Sequence, residues 1–112
     1  MEHILYIQKL KKGKRKQYTK DHKECWPELL EAIKESGIER NIIWLYGDEI
    51  LIYTMSENFN GSMAKLSRKK IFKDWIRRMK NYLEVIQDFS SKGKVIKLEK
   101  IFDLEEQINK IY

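Results

Sequence analysis

A phenol, an imidazole and an indole lie at steps of four residues near the N-terminus, as Tyr18, His22 and Trp26. Since an α-helix turns by about 100° per residue, this spacing places the three rings along one stripe of a helix. Leu29 and Ile33 continue the stripe, which is therefore polar and aromatic first and apolar afterwards. Such a helix would bury its apolar end in a core and hold two hydrogen-bonding groups at the mouth of that core, where a small polar ligand would lie.

His22 is the member of this stripe that is best suited to move a proton. Imidazole has a reference pKa of about 6.5 and can therefore act as acid or base at neutral pH, and the neighbouring Tyr18 phenol can orient a hydroxyl group. Spacing alone leaves a structural role open, because a single histidine on a helix is more often part of the packing. Trp75 is similarly ambiguous, since it lies at steps of four between Ile71 and Met79 and fits a core position.

The element that must position Tyr18 and His22 is a helix predicted over residues 14–36. It ends before Gly37, which suits the position after a helix because glycine readily adopts the left-handed conformation. Pro27 lies inside this span, has no N–H to donate and crowds the preceding turn. We therefore expect the helix to kink or restart near Trp26, which would tilt its first half over a cavity.

The remaining segments alternate between strand and helix patterns. The predicted elements are strands over 3–8, 38–46 and 49–55, a short helical piece with Met63 and Leu66, a longer helix whose stripe is Ile71, Trp75, Met79 and Leu83, a strand over 94–102 after a polar break at 88–93, and a final helix that starts at Asp103. Gly47-Asp48 predicts a hairpin between the second and third strands. Asp103 with Glu106 three residues later resembles a capping box.

The order β-α-β-β-α-β predicts an α+β, ferredoxin-like fold with a four-stranded antiparallel sheet and both helices on one face. We expect one domain over residues 1–112, in which 103–112 is a C-terminal extension. The second face of the sheet, with its alternating Ile, Leu and Tyr side chains, then needs a cover. The pattern therefore predicts a homodimer that pairs sheet to sheet, closed in part by the extension.

Composition limits the setting of the protein. A chain of 112 residues is the size of one domain, and its single cysteine, Cys25, rules out an intrachain disulfide. We therefore expect a reducing, cytoplasmic location. No targeting segment is recognisable, and the longest apolar run, Ile42 to Tyr46, is too short to cross a bilayer, so no membrane partner is expected.

Several other site classes find little support. His3 has no Cys or carboxylate at ligand spacing, Cys25 has only His22 nearby, and no phosphate-binding glycine motif is present. The net charge of +6 keeps a nucleic-acid-binding module open, through the basic residues of 9–16 and 68–70. The predicted strands lack the paired aromatics on which such sheets stack bases, which argues against nucleic acid as a partner.

The run Tyr18-x3-His22-x3-Trp26-Pro27-Glu28-Leu29, followed by Gly37-Ile38 and later by Trp75, resembles the L-rhamnose mutarotase family. The resemblance covers roughly residues 3–102, and the first run is its specific part. It implies a dimeric ferredoxin-like α/β barrel that interconverts the α and β anomers of a free L-sugar such as L-rhamnose. It also implies that neither a cofactor nor a metal is needed, so that a monosaccharide is the expected ligand.

The family's site residues can be carried over by position. His22 corresponds to its catalytic histidine, Tyr18 to a substrate-contacting tyrosine, and Trp75 to the first residue of a Trp-Trp pair. Two positions differ, because Asn41 replaces a tyrosine of the family and Ile76 replaces the second tryptophan. These differences change the shape and polarity of the expected pocket. They leave open an alternative, a diverged sugar-binding or oligomeric interaction domain without catalysis.

Overall fold

The computed structural model describes residues 1–85 and 96–112. In chain order the elements are β1 (Glu2–Leu10), α1 (Arg15–Lys23), α2 (Pro27–Glu35), β2 (Ile38–Tyr46), β3 (Glu49–Ser56), α3 (Phe59–Ser67), α4 (Lys70–Met79), β4 (Leu83–Val85) and α5 (Leu104–Ile111). The strands found in these residues form one antiparallel sheet in the order β2-β3-β1-β4. This is the ferredoxin-like order, so the predicted fold class is confirmed.

The predicted hairpin between β2 and β3 is present with a two-residue turn. Tyr46 pairs with Glu49, which leaves Gly47 and Asp48 as the turn residues. Gly47 has a φ of +61°, a conformation that costs glycine little because it has no Cβ. Glycine at the first turn position matches the strand twist in such hairpins, and this fixes the register of the two strands.

The long N-terminal helix is divided in two, as the position of Pro27 predicted. α1 ends at Lys23, and α2 begins with Pro27 at its first position, where the missing N–H costs nothing. Trp26 therefore lies between the helices in an extended conformation, and not on one continuous helical stripe with Tyr18 and His22. The end of α2 is as predicted, because Gly37 has a φ of +101°.

Two boundary predictions near the C-terminus are wrong. Leu83 was expected on the long helix, but α4 ends at Met79 and Leu83 lies in β4, paired with Leu10. The fourth strand of the sheet is thus 83–85, and not 94–102. Within the described part of the latter range, Lys97 forms only an isolated bridge with Tyr6, and the Leu98 N–H donates to the Leu5 carbonyl at 2.7 Å. The predicted break at 88–93 and residues 94–95 lie outside the described residues.

The two faces of the sheet differ in burial. From Tyr6 onward in β1 and throughout β3, the even-numbered residues are buried on the side of the helices, and they include Gln8, Ile50 and Thr54. The core continues into the helices, with Leu29 of α2, Phe59 and Leu66 of α3, and Trp75 of α4. The odd-numbered side chains point to the opposite face and are only half-buried or exposed.

The C-terminal extension forms a helix with the predicted start. The Asp103 carboxylate accepts a hydrogen bond from the Glu106 backbone N–H at 3.1 Å. The Glu106 carboxylate instead accepts from Lys100 Nζ at 2.6 Å. α5 has no buried residue, and its apolar side chains are exposed. Across the described ranges no helix is long and apolar enough to span a bilayer.

Candidate functional site

One cavity of about 430 Å³ lies between the helices and the helix-facing side of the sheet. The five side chains predicted from the sequence and the resemblance all line it, namely Tyr18, His22, Asn41, Trp75 and Ile76. They come from α1, β2 and α4, so only the tertiary fold brings them together. The volume lies in the range of about 300–1,000 Å³ that is typical of small-molecule sites.

His22 is held in a defined orientation and tautomer. Its Nδ1 lies 2.8 Å from the backbone carbonyl oxygen of Tyr18. A carbonyl can only accept, so Nδ1 carries the proton, and in the neutral ring the lone pair is on Nε2. Burial lowers the pKa of His22 below its ordinary value of 6.5, against the opposing effects of this hydrogen bond and of the Asp21 charge. At neutral pH the imidazole is therefore a neutral base.

Aromatic rings enclose the imidazole on two sides. The Tyr18 ring centroid lies 4.1 Å from that of His22, and Trp75 meets His22 edge to face at 5.1 Å. Trp26 in turn packs edge to face on Trp75 at 5.2 Å. Trp75 is thus part of the core and also lines the cavity, and Trp26 packs behind it from outside the cavity. Trp75 can therefore pack in the core and still present part of its ring to a ligand.

Tyr18 is more deeply buried than a residue at the mouth of the core would be, with 4% of its surface exposed. Burial raises the pKa of its phenol well above the usual range, with a smaller contribution from Tyr6. The phenol therefore stays protonated at any physiological pH. It can donate a hydrogen bond to a ligand oxygen but cannot act as a phenolate base.

Asn41 belongs to a polar chain on the sheet. Its Nδ2 donates to the Thr54 hydroxyl at 2.9 Å, and this hydroxyl also hydrogen-bonds the Tyr6 phenol. Thr54 is completely buried and Asn41 is exposed, so these hydrogen-bonded side chains extend from the core to the open end of the cavity. The sheet thus adds Tyr6, Gln8 and Asn41 as polar groups to a lining that is otherwise mainly apolar, with Leu29, Ile33 and Ile76 among the apolar residues of the helices.

A charged pair joins α1 to α4 beside His22. Arg78 donates to both carboxylate oxygens of Asp21, from Nε at 2.7 Å and from Nη2 at 3.1 Å. The hydrogen bond from Arg78 is the main reason why the pKa of Asp21 lies below its ordinary value, and Tyr82 adds a second hydrogen bond. This pair joins the C-terminal ends of α1 and α4 and places a carboxylate next to the imidazole.

Sequence reasoning missed the contribution of β1 and β3 to the site. Tyr6, Gln8 and Ile52 line the cavity from the sheet, and Cys25 and Lys23 lie at the end of α1. A signal was available, because strict alternation along β1 puts Tyr6 and Gln8 on the same face as buried Leu10. A glutamine at a position of the core face is unusual. In the described ranges, no three His, Cys, Asp or Glu side chains cluster in a way that could hold a metal ion.

The fold and site together define a class: a ferredoxin-like α+β protein with a cavity large enough for a small polar ligand and a histidine–tyrosine pair that lines it. The family model described as L-rhamnose mutarotase matches residues 3–104. The chain belongs to the L-rhamnose mutarotase family, an isomerase family, and the resemblance found in the sequence is confirmed.

Individual relatives agree with this assignment. An L-rhamnose mutarotase from Formosa agariphila is 27% identical over 106 residues, which cover 94% of this chain and 100% of that protein. One from Clostridium beijerinckii is 28% identical over 98 residues, 87% of this chain and 92% of that protein. The crystal structure of an L-rhamnose mutarotase from Formosa agariphila matches 93% of this chain and 99% of its own with a TM-score of 0.73 at 24% identity, which shows the shared fold.

Proposed function

We propose that this protein is a sugar mutarotase that interconverts the α and β anomers of an L-sugar such as L-rhamnose by general acid–base catalysis through His22. The observation that carries the proposal is the shared cavity, in which a neutral, oriented imidazole lies between a protonated phenol and an indole. Membership of the family supports the reaction type.

The reaction needs one proton to be removed and one to be delivered. His22 Nε2 takes the proton of the anomeric hydroxyl, and the C1–O bond to the ring oxygen breaks as the imidazolium protonates that oxygen. The open-chain aldehyde rotates about C1–C2, and closure on the other face of the carbonyl reverses both transfers. No proton is gained or lost, so one imidazole suffices for the whole cycle.

The other cavity residues have binding roles in this proposal. Tyr18 donates a hydrogen bond to a sugar oxygen, and Asn41 offers its amide at the open end. Trp75 provides a flat apolar surface for the C–H face of the sugar, and Ile76 adds a smaller apolar surface where the family has a second indole. Together they hold the reacting carbon near Nε2, which lowers the entropic cost of the transfer.

The test is exchange NMR of free L-rhamnose, L-fucose and related sugars with and without the protein. We expect saturation transfer between the anomeric protons to become faster for at least one L-sugar. Specific binding of a monosaccharide without faster exchange would instead support a non-catalytic sugar-binding domain. Salt-suppressed binding of nucleic acid without sugar binding would contradict both.

We further propose that the protein acts as a homodimer paired through the open sheet face. Cross-strand neighbours there form apolar rows, such as Leu5 with Tyr53 and Ile42, and Ile7 with Leu51 and Trp44. Trp44 is 55% exposed, and the apolar side chains of α5 are exposed as well. A solved protein with the same fold, 15% identical with a TM-score of 0.53, is described as a dimeric ferredoxin-like protein. Light scattering at micromolar concentration tests this; a monomeric mass would contradict it.

The proposed location is the cytoplasm. Cys25 is a free thiol, and burial raises its pKa, which keeps it protonated and unreactive. A half-buried reduced cysteine fits a reducing compartment. Cell fractionation would test the location, and recovery of the protein in an extracytoplasmic fraction would contradict it.

A further inference from the structure

The amide oxygen of Gln8 is a buried polar atom without a partner in the protein. Gln8 is 6% exposed, and among the described residues its Oε1 is the buried side-chain oxygen or nitrogen for which no hydrogen bond is found. The residue lies on β1 between Tyr6 and Leu10, on the face that lines the cavity. Its cross-strand neighbour in β3 is Ile50, which is fully buried and offers no side-chain donor.

An unsatisfied amide oxygen is costly in a folded protein. Buried polar groups are almost always hydrogen-bonded, because leaving one unpaired forfeits its interaction with water. An apolar residue of the same length would fit this row of Tyr6, Leu10, Ile50 and Ile52 without that cost. The nearby polar groups confirm the contrast, since Asn41, Thr54 and Tyr6 satisfy one another along the sheet.

We propose that Gln8 is a substrate-binding residue whose amide turns toward the cavity when the sugar binds, so that its Oε1 accepts a hydrogen bond from a sugar hydroxyl. The proposal rests on the proposed function, because it takes the ligand of the cavity to be a monosaccharide. Gln8 would bind on the sheet side, opposite the Tyr18 and His22 of α1, so that the ring is held from two sides. Since an acceptor requires a donor, Gln8 selects a ring that carries a hydroxyl at the position facing β1.

The matched variants are Gln8→Met and Gln17→Met. Methionine keeps the length of the side chain and removes both polar atoms, and Gln17 is an exposed residue of α1 that serves as the control. In Gln8→Met a sugar hydroxyl is left unpaired in a buried site. We therefore expect sugar affinity, measured by NMR titration, to fall about 5- to 150-fold, whereas Gln17→Met binds like the parent.

Two further readouts separate this role from a structural one. The urea midpoint of ligand-free Gln8→Met should equal or exceed that of the parent, because an unsatisfied oxygen has been removed. Among monodeoxy analogues of the bound sugar, one should bind the parent and Gln8→Met equally well, and this identifies the hydroxyl that Gln8 contacts. Should Gln8→Met fail to fold, Gln8→Asn retracts the same amide by one methylene and should also weaken binding.

The outcomes are distinguishable from those of the proposed function. Unchanged affinity in folded Gln8→Met, or a lowered urea midpoint with unchanged affinity, would overturn the role of Gln8 and leave the mutarotase proposal intact. Sugar binding by the parent without faster anomer exchange would overturn the mutarotase activity, and the affinity ratio would still decide the role of Gln8. Absence of any sugar binding would overturn both.

Discussion

Each face of the sheet carries some side chains that are unusual in its surroundings, although the helix-facing side is mainly apolar core. On the helix-facing side, polar residues such as Gln8, Thr54 and Ser56 are buried. On the open side, Leu51 and Tyr53 are only half-buried and Trp44 is 55% exposed. For an isolated monomer the unpaired amide oxygen of Gln8 is unfavourable because burial removes its hydrogen bonds to water, and the open face is unfavourable because apolar side chains stay in contact with water.

The comparison supports both proposals, a sugar bound on the covered face and a second copy of the chain on the open face. On the covered face Gln8 lines the cavity, where a sugar hydroxyl would satisfy its amide oxygen, whereas Thr54 and Ser56 are already hydrogen-bonded within the protein. The apolar rows of the open face can be covered by a second copy of the chain. Variants on one face should therefore change catalysis and binding, whereas variants on the other should change assembly.

The largest effect is expected for His22→Asn, on the covered side. The variant removes the proton carrier and keeps a small polar group, so the fold should persist. Anomer exchange of the L-sugar should fall about 10²- to 10⁴-fold, the usual contribution of general acid–base catalysis. His3→Asn is the matched control, since the side chain of His3 is on the open face beside Tyr53. Parent-like exchange in folded His22→Asn would exclude α1 as the catalytic element.

Leu51→Glu should have the strongest effect on the open side. Leu51 lies between Ile7 and Trp44 in an apolar row, so a carboxylate there would be buried without a partner in the dimer. We expect the mass at micromolar concentration to shift from dimer to monomer in light scattering. Lys73→Glu changes an exposed residue of α4 by an even larger charge and should leave the mass unchanged. A dimeric Leu51→Glu would locate the interface elsewhere.

The pH dependence of exchange should report the neutral form of His22. Since burial lowers its pKa, the base form persists below pH 6.5, and the acid limb of kcat/KM should lie below that value, with about tenfold loss per pH unit beyond it. Because the unfolded chain then binds more protons, the free energy of unfolding should also fall as pH drops from 6.5 toward the folded pKa. An acid limb above pH 6.5 would contradict the burial of this imidazole.

Tyr18→Phe should affect binding more than rate. The phenol is kept protonated by burial and acts as a hydrogen-bond donor, so its removal should cost one hydrogen bond of about 0.5–1.5 kcal/mol, or roughly 2- to 13-fold in sugar affinity. NMR titration and exchange rates at saturating sugar separate the two effects. If the rate at saturation fell as far as in His22→Asn, Tyr18 would have to carry a proton itself.

The smallest effect is expected at the Asp21–Arg78 pair, where the direction of the shift in the pKa of His22 distinguishes the two variants. The Asp21 charge raises the pKa of His22, so Asp21→Asn should move the acid limb to lower pH. Arg78→Gln leaves that carboxylate without its neutralising partner and should move the limb to higher pH. Both variants lose the same contact between α1 and α4, so shifts in the same direction would indicate a structural change only. The titration of the His22 ring protons by NMR gives the shift directly.

The local sequence was sufficient to predict a turn or a helix end wherever one residue determines the backbone conformation there. Gly47 gives the hairpin, Pro27 starts α2, Gly37 follows its end and Asp103 caps α5, as expected. Each of these residues acts within one turn of the chain, so its effect does not depend on distant parts of the molecule. The resemblance to a sugar mutarotase family and the ferredoxin-like element order were also visible at this level.

The end of α4 and the full lining of the cavity could be known only from the tertiary structure, because they depend on contacts between residues far apart in sequence. Leu83 continues the helical spacing of Trp75 and Met79, but it lies in β4 and not in α4. There it pairs with Leu10 of β1, and the Lys11 N–H donates to the carbonyl of the preceding residue, Tyr82, at 2.8 Å. These contacts with β1 stabilise the strand over the helix. The site depended on the same kind of contact. Nothing near Gln8 in sequence shows that its amide oxygen is buried unpaired, since the cavity exists only once α1 and α4 are packed over β1 and β3.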